Sequence, residues 1–289
     1  MIPGEFEYHR PSAVDEAVAL LAEFGDDAKV LAGGHSLIPL MKLRLAAPTH
    51  LIDVTRIDGL KGIREADGEI RIGAMTTENE LIASELLWRA CPLIPEAAKL
   101  IADPQVRNCG TVGGNVVHGD PGNDQPAIML ALGASLVLRG PDGERVVPVD
   151  GFYLGIFTTD LRPNELLTEI RVPIPPAGTG HSYQKQKRKV GDFATAAAAA
   201  LITLDGGTCV RAAITLTNAA PTALRVAEAE ALLTGKTIDD GLIDQAGALA
   251  SAASDPAEDL RGTVAYKKHL AGEMTKRAIR QALGRAGGA

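Results

Sequence analysis

The sequence predicts an α+β protein, and three observations support this class. A β-α-β pattern surrounds the glycine pair Gly33-Gly34, and hairpin turn signals occur at Asp67-Gly68 and at Pro141-Asp142-Gly143. Prolines and glycines cluster over 173–180, and the residues that follow mix a strand-rich segment with helical patterns. Short strands, short helices and a final part behind a linker are therefore expected.

The first elements form the β-α-β pattern. Ser12 is the predicted N-cap of a helix whose apolar positions Val14, Ala17, Val18 and Leu21 share one face, and Gly25 ends it. A strand over 28–32 leads directly into the first glycine pair. A helix through Leu37, Leu40, Met41 and Leu43 follows, and a strand covers 51–54.

The middle of the chain alternates hairpins with short helices. Thr77 and Glu80 form a capping-box pattern that starts one helix, and a second helix over 95–102 is predicted to stop at Pro104. Asp124 opens another helix. Strands are predicted at 63–65, 70–72, 135–138, 145–149 and 166–172.

The alanine run over 194–200 has two interpretations. Propensity favours a helix, but Asp205-Gly206-Gly207 and the β-branched segment 210–216 follow closely, which favours a hairpin whose alanines permit close packing. Helices are predicted at 222–233, 239–253 and 264–283.

Composition excludes several classes of function. A net charge of −7 and an aromatic content of 3% disfavour nucleic-acid binding. Cys91, Cys109 and Cys209 are far apart and lack metal-ligand spacing, so no iron–sulfur cluster and no metal site is predicted on this chain. The sequence shows neither a signal-peptide pattern nor an apolar run of bilayer length, so a cytoplasmic protein without a transmembrane segment, or a subunit of a larger assembly, is expected.

The two glycine pairs, Gly33-Gly34 and Gly113-Gly114, are the candidate binding elements. Adjacent glycines permit positive φ angles and can turn backbone N–H groups toward an anion. A helix N-terminus and the Ser36 hydroxyl would assist the first pair, and Thr111 and Asn115 flank the second. Either pair alone is equally compatible with a tight turn or a bulge. Together they predict two turns that hold a diphosphate between them.

Other polar residues have weaker functional interpretations. Asp124 is either a helix N-cap or a ligand contact. His35 and Ser36 are an unfavourable base–nucleophile pair, because adjacent side chains rarely face one another. The basic run at Lys185, Lys187, Arg188 and Lys189 is either a solvated face or contains one partner for a phosphate or flavin oxygen.

Several motifs together resemble one known family. AGGHSLIPLMKLR, TVGGN, HGDPGND, ELLTEI and YQKQKRKVGDFA are similar to segments of the FAD-binding medium subunit of molybdenum hydroxylases, most of all those of the carbon monoxide dehydrogenase type, in the xanthine dehydrogenase family. The resemblance covers nearly the whole chain. It implies a p-cresol methylhydroxylase-type FAD-binding domain of two α/β subdomains, 1–55 and 56–176, followed by a C-terminal domain over 177–289 with a small antiparallel sheet and helices.

The resemblance also implies a site and a role. It places non-covalent FAD against Ala32, Gly33, Gly34, His35, Ser36, Thr111, Val112, Gly113, Gly114, Asn115, Asp124, Leu167 and Lys185, with no catalytic base. The implied role is electron transfer from iron–sulfur clusters of a small subunit to quinone, NAD or oxygen. A large subunit would carry the molybdenum cofactor. The expected assembly is a dimer of heterotrimers, either cytoplasmic or peripheral to the inner face of the membrane through the complex.

Three alternatives remain open at this point. A self-contained oxidase would bind FAD covalently through His35, and a cell-wall-precursor reductase shares the same broad fold. An assembly subunit could keep the fold without a cofactor. The intact glycine pairs disfavour this last alternative.

Overall fold

The first layer is a small parallel sheet with the order β1-β3-β2. A computed structural model describes residues 1–287 and gives the strands as β1 (Glu7–His9), β2 (Ala28–Leu31) and β3 (His50–Asp53), with helices α1 (Val14–Phe24) and α2 (Leu37–Lys42). Ala17, Val18 and Leu21 of α1 pack against Ile52 in one apolar cluster. The predicted β-α-β pattern is confirmed, and β2 ends where the first glycine loop begins.

The second layer is a five-stranded antiparallel sheet with the order β4-β5-β10-β6-β7. Its strands, and the separate hairpin β8–β9, are β4 (Ile63–Ala66), β5 (Glu69–Gly73), β6 (Ser135–Gly140), β7 (Gly143–Pro148), β8 (Tyr153–Gly155), β9 (Thr158–Thr159) and β10 (Leu166–Pro173). Six short helices connect them: α3 (Glu78–Ala83), α4 (Glu85–Ala90), α5 (Leu93–Ala98), α6 (Pro104–Cys109), α7 (Val112–Val117) and α8 (Asp124–Leu132). Both predicted hairpins are confirmed.

The third layer is a four-stranded antiparallel sheet with the order β11-β12-β13-β14. It consists of β11 (Thr179–Gln186), β12 (Ala196–Asp205), β13 (Thr208–Thr217) and β14 (Leu224–Arg225), with helices α9 (Ala227–Leu233), α10 (Asp240–Ala253) and α11 (Val264–Ala286). The fold class is thus the expected one: a two-part α/β region followed by a small antiparallel sheet with helices. Residues 288 and 289 of the predicted C-terminal domain lie outside the described residues.

The alanine run forms a strand that is buried on both faces. Ala197 and Ala199 pack into the cluster that contains α5 and α8, whereas Ala198 and Ala200 pack into the cluster beneath α10 and α11. Successive side chains of a strand point to opposite faces. Small side chains let two helical layers approach the same strand, so the predicted hairpin, rather than a helix, is confirmed.

Two predicted helix boundaries were wrong, at Ser12 and at Pro104. The N-cap of α1 is Ala13, because the Glu16 carboxylate reaches back to accept from the Ser12 N–H at 2.7 Å. Pro104 does not stop a helix but occupies the first turn of α6, where a missing N–H costs nothing, and Asp103 caps that helix through the Val106 N–H.

Other helices differ in extent. The helix predicted over 95–102 runs instead from Leu93 to Ala98, and the capping-box helix ends at Ala83 before a separate helix capped by Ser84. The helix predicted from Thr222 begins only at Ala227. Among residues 1–287, no helix combines the length and apolar character needed to cross a bilayer.

The contact between α11 and β11 gives a stability prediction. A Cβ at Gly180 would overlap the Ala282 carbonyl oxygen and lie 2.5 Å from the Ala286 nitrogen, whereas one at Gly284 would meet nothing within 4 Å. We expect Gly180→Ala to lower the free energy of unfolding by about 3 kcal/mol through overpacking. The matched change Gly284→Ala, on an exposed helix position, should raise it by about 1 kcal/mol. Equal effects in denaturant titrations would contradict this packing.

Candidate functional site

The loop that contains Gly33-Gly34 (the first loop) contacts the α6–α7 connection at Gly110 and Thr111 (the second loop) directly. A Cβ added to Gly33 would overlap the carbonyl oxygen of Cys109 and lie 2.9 Å from the Cα of Gly110. Only a residue without a side chain allows the loop after β2 to approach the α6–α7 connection this closely. The first glycine turn thus lies against the segment that leads into the second glycine pair.

A cleft of about 390 Å³ opens where the loops meet. Its wall combines apolar atoms with polar groups and is formed by Ala32, Gly33, Thr55, Lys61, Met75, Thr77, Glu80, Cys109 and Thr111. Glu80 is engaged in the capping box with Thr77. The cleft therefore offers three threonines and one lysine as possible hydrogen-bond donors beside apolar wall atoms.

The first loop presents backbone donors that the protein does not use. The N–H groups of Gly33, Gly34, His35 and Ser36 donate to no acceptor within residues 1–287. Gly34 has a φ of +73°, and its carbonyl instead accepts from the Ile38 N–H at 3.0 Å. The Ser36 hydroxyl does not cap α2, and both His35 and Ser36 are exposed. Consecutive unused N–H groups of this kind are suited to an anion.

The second glycine pair lies in a helix and does not form the predicted turn. Gly113 and Gly114 lie inside the first turn of α7 and have no positive φ, and a helix rather than a strand precedes them. Their N–H groups are occupied: Gly113 donates to the Ala74 carbonyl at 2.9 Å, and Gly114 to the Thr111 hydroxyl at 3.2 Å. A Cβ at Gly113 would lie 2.6 Å from the Ala74 oxygen, so this glycine serves close packing.

Thr111 and Asn115 retain unused polar groups beside this helix. The Thr111 N–H has no acceptor within residues 1–287, and Thr111 lines the cleft. The Asn115 side-chain oxygen is buried and has no donor in the same range, while its backbone carbonyl accepts from Asn123 at 2.9 Å. A buried acceptor without a partner is costly unless a ligand or water supplies the donor.

Asp124 and Lys185 form a buried ion pair. Lys185 Nζ lies 2.7 Å from Asp124 Oδ2 and 3.2 Å from the Leu100 carbonyl, and both side chains are at most 4% exposed. The Tyr183 hydroxyl donates to Asp124 Oδ1 at 2.5 Å, and burial raises the pKa of that hydroxyl well above its ordinary value. Asp124 is thus not the N-cap of α8, and Lys185 is not on a solvated face. The pair joins α8 to β11.

The remaining predicted residues lie in α7, on β10 and in the segment after β11. Val112 is buried in the first turn of α7 and donates its N–H to the Thr76 carbonyl at 2.9 Å. Leu167 lies on the central strand β10 and is 4% exposed within the main apolar cluster. Lys187 Nζ donates to the Leu100 carbonyl at 3.2 Å, and Arg188 pairs with Asp192 at 3.1 Å.

One buried acid was missed by sequence reasoning. Glu78, 2% exposed, accepts from the Gln125 amide at 2.8 Å, and its N–H donates to the Gly110 carbonyl of the second loop at 3.0 Å. Burial, with a contribution from the Asp124 charge, raises the pKa of Glu78 to about 8. In the sequence it is one of two acids at a helix start, where exposure is the ordinary expectation. Gln125, 47 positions away, carried no signal that it would be the partner.

Comparison with known proteins gives consistent matches for the whole chain. Residues 4–175 match the family described as the FAD binding domain in molybdopterin dehydrogenase, and residues 181–282 match the CO dehydrogenase flavoprotein C-terminal domain. The chain is 52% identical to the carbon monoxide dehydrogenase medium chain of Afipia carboxidovorans and 54% identical to that of Hydrogenophaga pseudoflava, each over 99% of both chains.

The fold agrees equally well with a solved structure. A chain in the carbon monoxide dehydrogenase structure from Hydrogenophaga pseudoflava superposes with a TM-score of 0.97 at 56% identity, with 99% of each chain covered. The chain belongs to the family of FAD-binding flavoprotein subunits of molybdopterin dehydrogenases. It is therefore an FAD protein of the oxidoreductase class, and the predicted family is confirmed.

Removing one partner of the buried ion pair should lower the free energy of unfolding more than removing both partners. We expect Lys185→Met to lower the free energy of unfolding by about 3–5 kcal/mol, because the Asp124 charge is left buried without its cation. The double variant Asp124→Asn/Lys185→Met should recover most of this loss, since no isolated charge remains. Denaturant titrations at fixed FAD content measure all four members of the cycle. Strictly additive losses would contradict a direct pair.

The buried acid predicts a pH dependence with a defined sign. Between the ordinary carboxyl pKa of 4.5 and the raised value of about 8, folded Glu78 holds a proton that the unfolded chain has released. Its contribution to stability therefore falls as pH rises through this window, by up to about 1.4 kcal/mol per pH unit. Glu78→Gln stays neutral, so its free energy of unfolding should rise relative to that of the wild type between pH 5.5 and 8.5. Parallel stability curves for the two proteins would refute the assignment.

Proposed function

We propose that this chain is the FAD-carrying electron-transfer subunit of a molybdenum hydroxylase complex of the carbon monoxide dehydrogenase type. The observation that carries the proposal is the direct contact of the two glycine loops, with unused N–H groups at 33–36, in a chain of this family. Bound FAD supplies redox chemistry that exchanges single electrons with iron–sulfur clusters and delivers two electrons to an acceptor. The residues of the chain bind and orient it.

We assign the diphosphate mainly to the first loop. The N–H groups of 33–36 and of Thr111 have no acceptor within residues 1–287, and the Ser36 and Thr111 hydroxyls lie on the same two segments. The remaining residues proposed to bind FAD are Ala32, His35, Val112, Gly113, Gly114, Asn115, Asp124, Leu167 and Lys185. For Gly113 and Gly114 the role is indirect, because their N–H groups already hold α7 in place.

We propose no catalytic base on this chain. Of the charged residues that line the cleft, Glu80 is held in the capping box and Lys61 lies 3.3 Å from the Asp58 carboxylate. Asp124 and Lys185 neutralise one another in a buried pair. Such groups suit binding and orientation of a cofactor better than proton transfer to a substrate.

We propose that the remaining redox centres lie on partner subunits. Cys91 and Cys209 are buried, Cys109 is exposed, and all three are free thiols rather than a grouped ligand set. A small subunit would carry the iron–sulfur clusters and a large subunit the molybdenum cofactor, in a cytoplasmic dimer of heterotrimers. The electron acceptor would be quinone, NAD or oxygen, and any membrane contact would come through the complex.

We propose a domain division at 176/177. The antiparallel sheet that contains β10 ends at Pro173, and the sheet that contains β11 begins at Thr179, so the Pro- and Gly-rich segment connects two sheets. The FAD-binding part would be 1–176, with subdomains 1–55 and 56–176, and 177–289 would form the C-terminal domain. The ion pair between Asp124 and Lys185 crosses this boundary.

Blocking the loop contact should remove the cofactor. We expect purified Gly33→Val to lose nearly all bound FAD, because the added side chain collides with the Cys109 carbonyl and displaces the free N–H groups. Gly59→Val is the matched control, since a Cβ there meets nothing within 4 Å. Flavin absorbance per chain is the measurement, and circular dichroism confirms folding. Full occupancy in Gly33→Val would show that the site assignment is wrong.

The nature of the flavin linkage separates the two flavoprotein alternatives. His35 is exposed on the first loop, as a covalent attachment residue would need to be. We expect acid precipitation to release FAD into the supernatant and to leave a colourless pellet. A yellow pellet would support a covalent flavin oxidase, and protein that takes up no FAD at all would support a cofactor-free assembly subunit.

A further inference from the structure

Three metal-ligating side chains converge on the first sheet, at a place the flavin site does not use. Glu7, His9 and His50 each bring one ligand atom within 4.8 Å of the others. His9 Nε2 lies 3.0 Å from His50 Nδ1, and Glu7 Oε2 lies 3.7 Å from the same His50 nitrogen. We propose that this cluster is a binding site for Zn²⁺ or a similar transition-metal ion, with water as the fourth ligand.

The strand register produces this convergence. Glu7 and His9 are two positions apart on β1, so their side chains share one face of the sheet. In the parallel pairing, Glu7 lies opposite His50 of β3. The intervening Tyr8 points to the other face, where its hydroxyl bonds Asp53, and Arg10 lies 3.7 Å from the same carboxylate. The nearby acid and cation are thus paired with each other and do not compete for the three ligands.

Aromatic packing restrains the two imidazoles. The Phe24 ring stacks on His50 with a centroid distance of 3.7 Å and an interplanar angle of 4°, and it lies 5.0 Å from the His9 ring. His50 is 19% exposed and Glu7 75%, so water can reach the cluster from one side. Partly fixed imidazoles reduce the ordering cost of binding an ion.

The donor set and spacing suit zinc. Two imidazoles and one carboxylate are a common three-ligand set that leaves one tetrahedral position open. Zn–N bonds of about 2.0–2.1 Å place two tetrahedral nitrogens about 3.3 Å apart, close to the observed 3.0 Å. Without metal the same contact is a hydrogen bond that one ring donates. When a metal ion binds, that ring carries its proton on its other nitrogen instead, so two neutral imidazoles ligate the ion and no net proton is released.

The test is a Zn²⁺ titration of the purified, chelator-treated full chain with its FAD, in competition with a zinc-sensitive dye. We expect one equivalent bound, and an affinity at least tenfold weaker in His50→Gln and in His9→Gln. His269→Gln, a change at an exposed histidine on α11, should bind as the wild type does. Zn²⁺ should also raise the unfolding temperature of the wild type but not that of His50→Gln. Mg²⁺ should neither compete with the dye for the protein nor change the unfolding temperature of the wild type.

Two results would overturn the proposal. One is a wild type that binds less than half an equivalent under conditions in which the dye is half saturated. The other is unchanged affinity in both His9→Gln and His50→Gln, which would place any bound zinc elsewhere. If His50→Gln fails to fold, Glu7→Gln is the replacement, because Glu7 is exposed and its loss removes one of the three ligands.

Discussion

The backbone contact between Gly33 and the Cys109–Gly110 peptide is the constraint on which the candidate site depends. It joins a loop of the parallel sheet to a loop of the antiparallel sheet without intervening side chains. Gly33 and Thr111 line the same cleft, and the N–H groups of residues 33–36 have no acceptor within residues 1–287. An anion bound in this cleft would contact the first loop and the α6–α7 connection at once, and binding to the folded state stabilises it.

The sequence allowed the fold to be predicted more fully than the details of the site. Local signals such as the Thr77–Glu80 capping box and the Asp67-Gly68 turn predicted their elements correctly, because neighbouring residues satisfy them. The predicted turn at Gly113 is instead the first turn of α7, where the Gly113 N–H donates to the Ala74 carbonyl from a distant strand end, a contact that only tertiary structure creates. The burial of Glu78 likewise depends on Gln125, which only tertiary structure brings close.

The contact between the two large parts of the chain rests on small side chains and one ion pair. Alanines of β12 are buried on both faces, so the C-terminal sheet packs against α5 and α8 on one side and against α10 and α11 on the other. Lys185 crosses the boundary to Asp124, at the C-terminal side of the second glycine loop. A change in the packing of the C-terminal part would therefore alter the contacts of α8.

The most direct measurement of the central claim is a crystal structure of this chain with FAD bound. The account predicts diphosphate oxygens within hydrogen-bond distance of the N–H groups of residues 33–36 and of the Thr111 N–H or hydroxyl, with the N–H groups of Gly113 and Gly114 still bonded within the protein. A diphosphate that lies on another segment, while the N–H groups of 33–36 face only water, would contradict it.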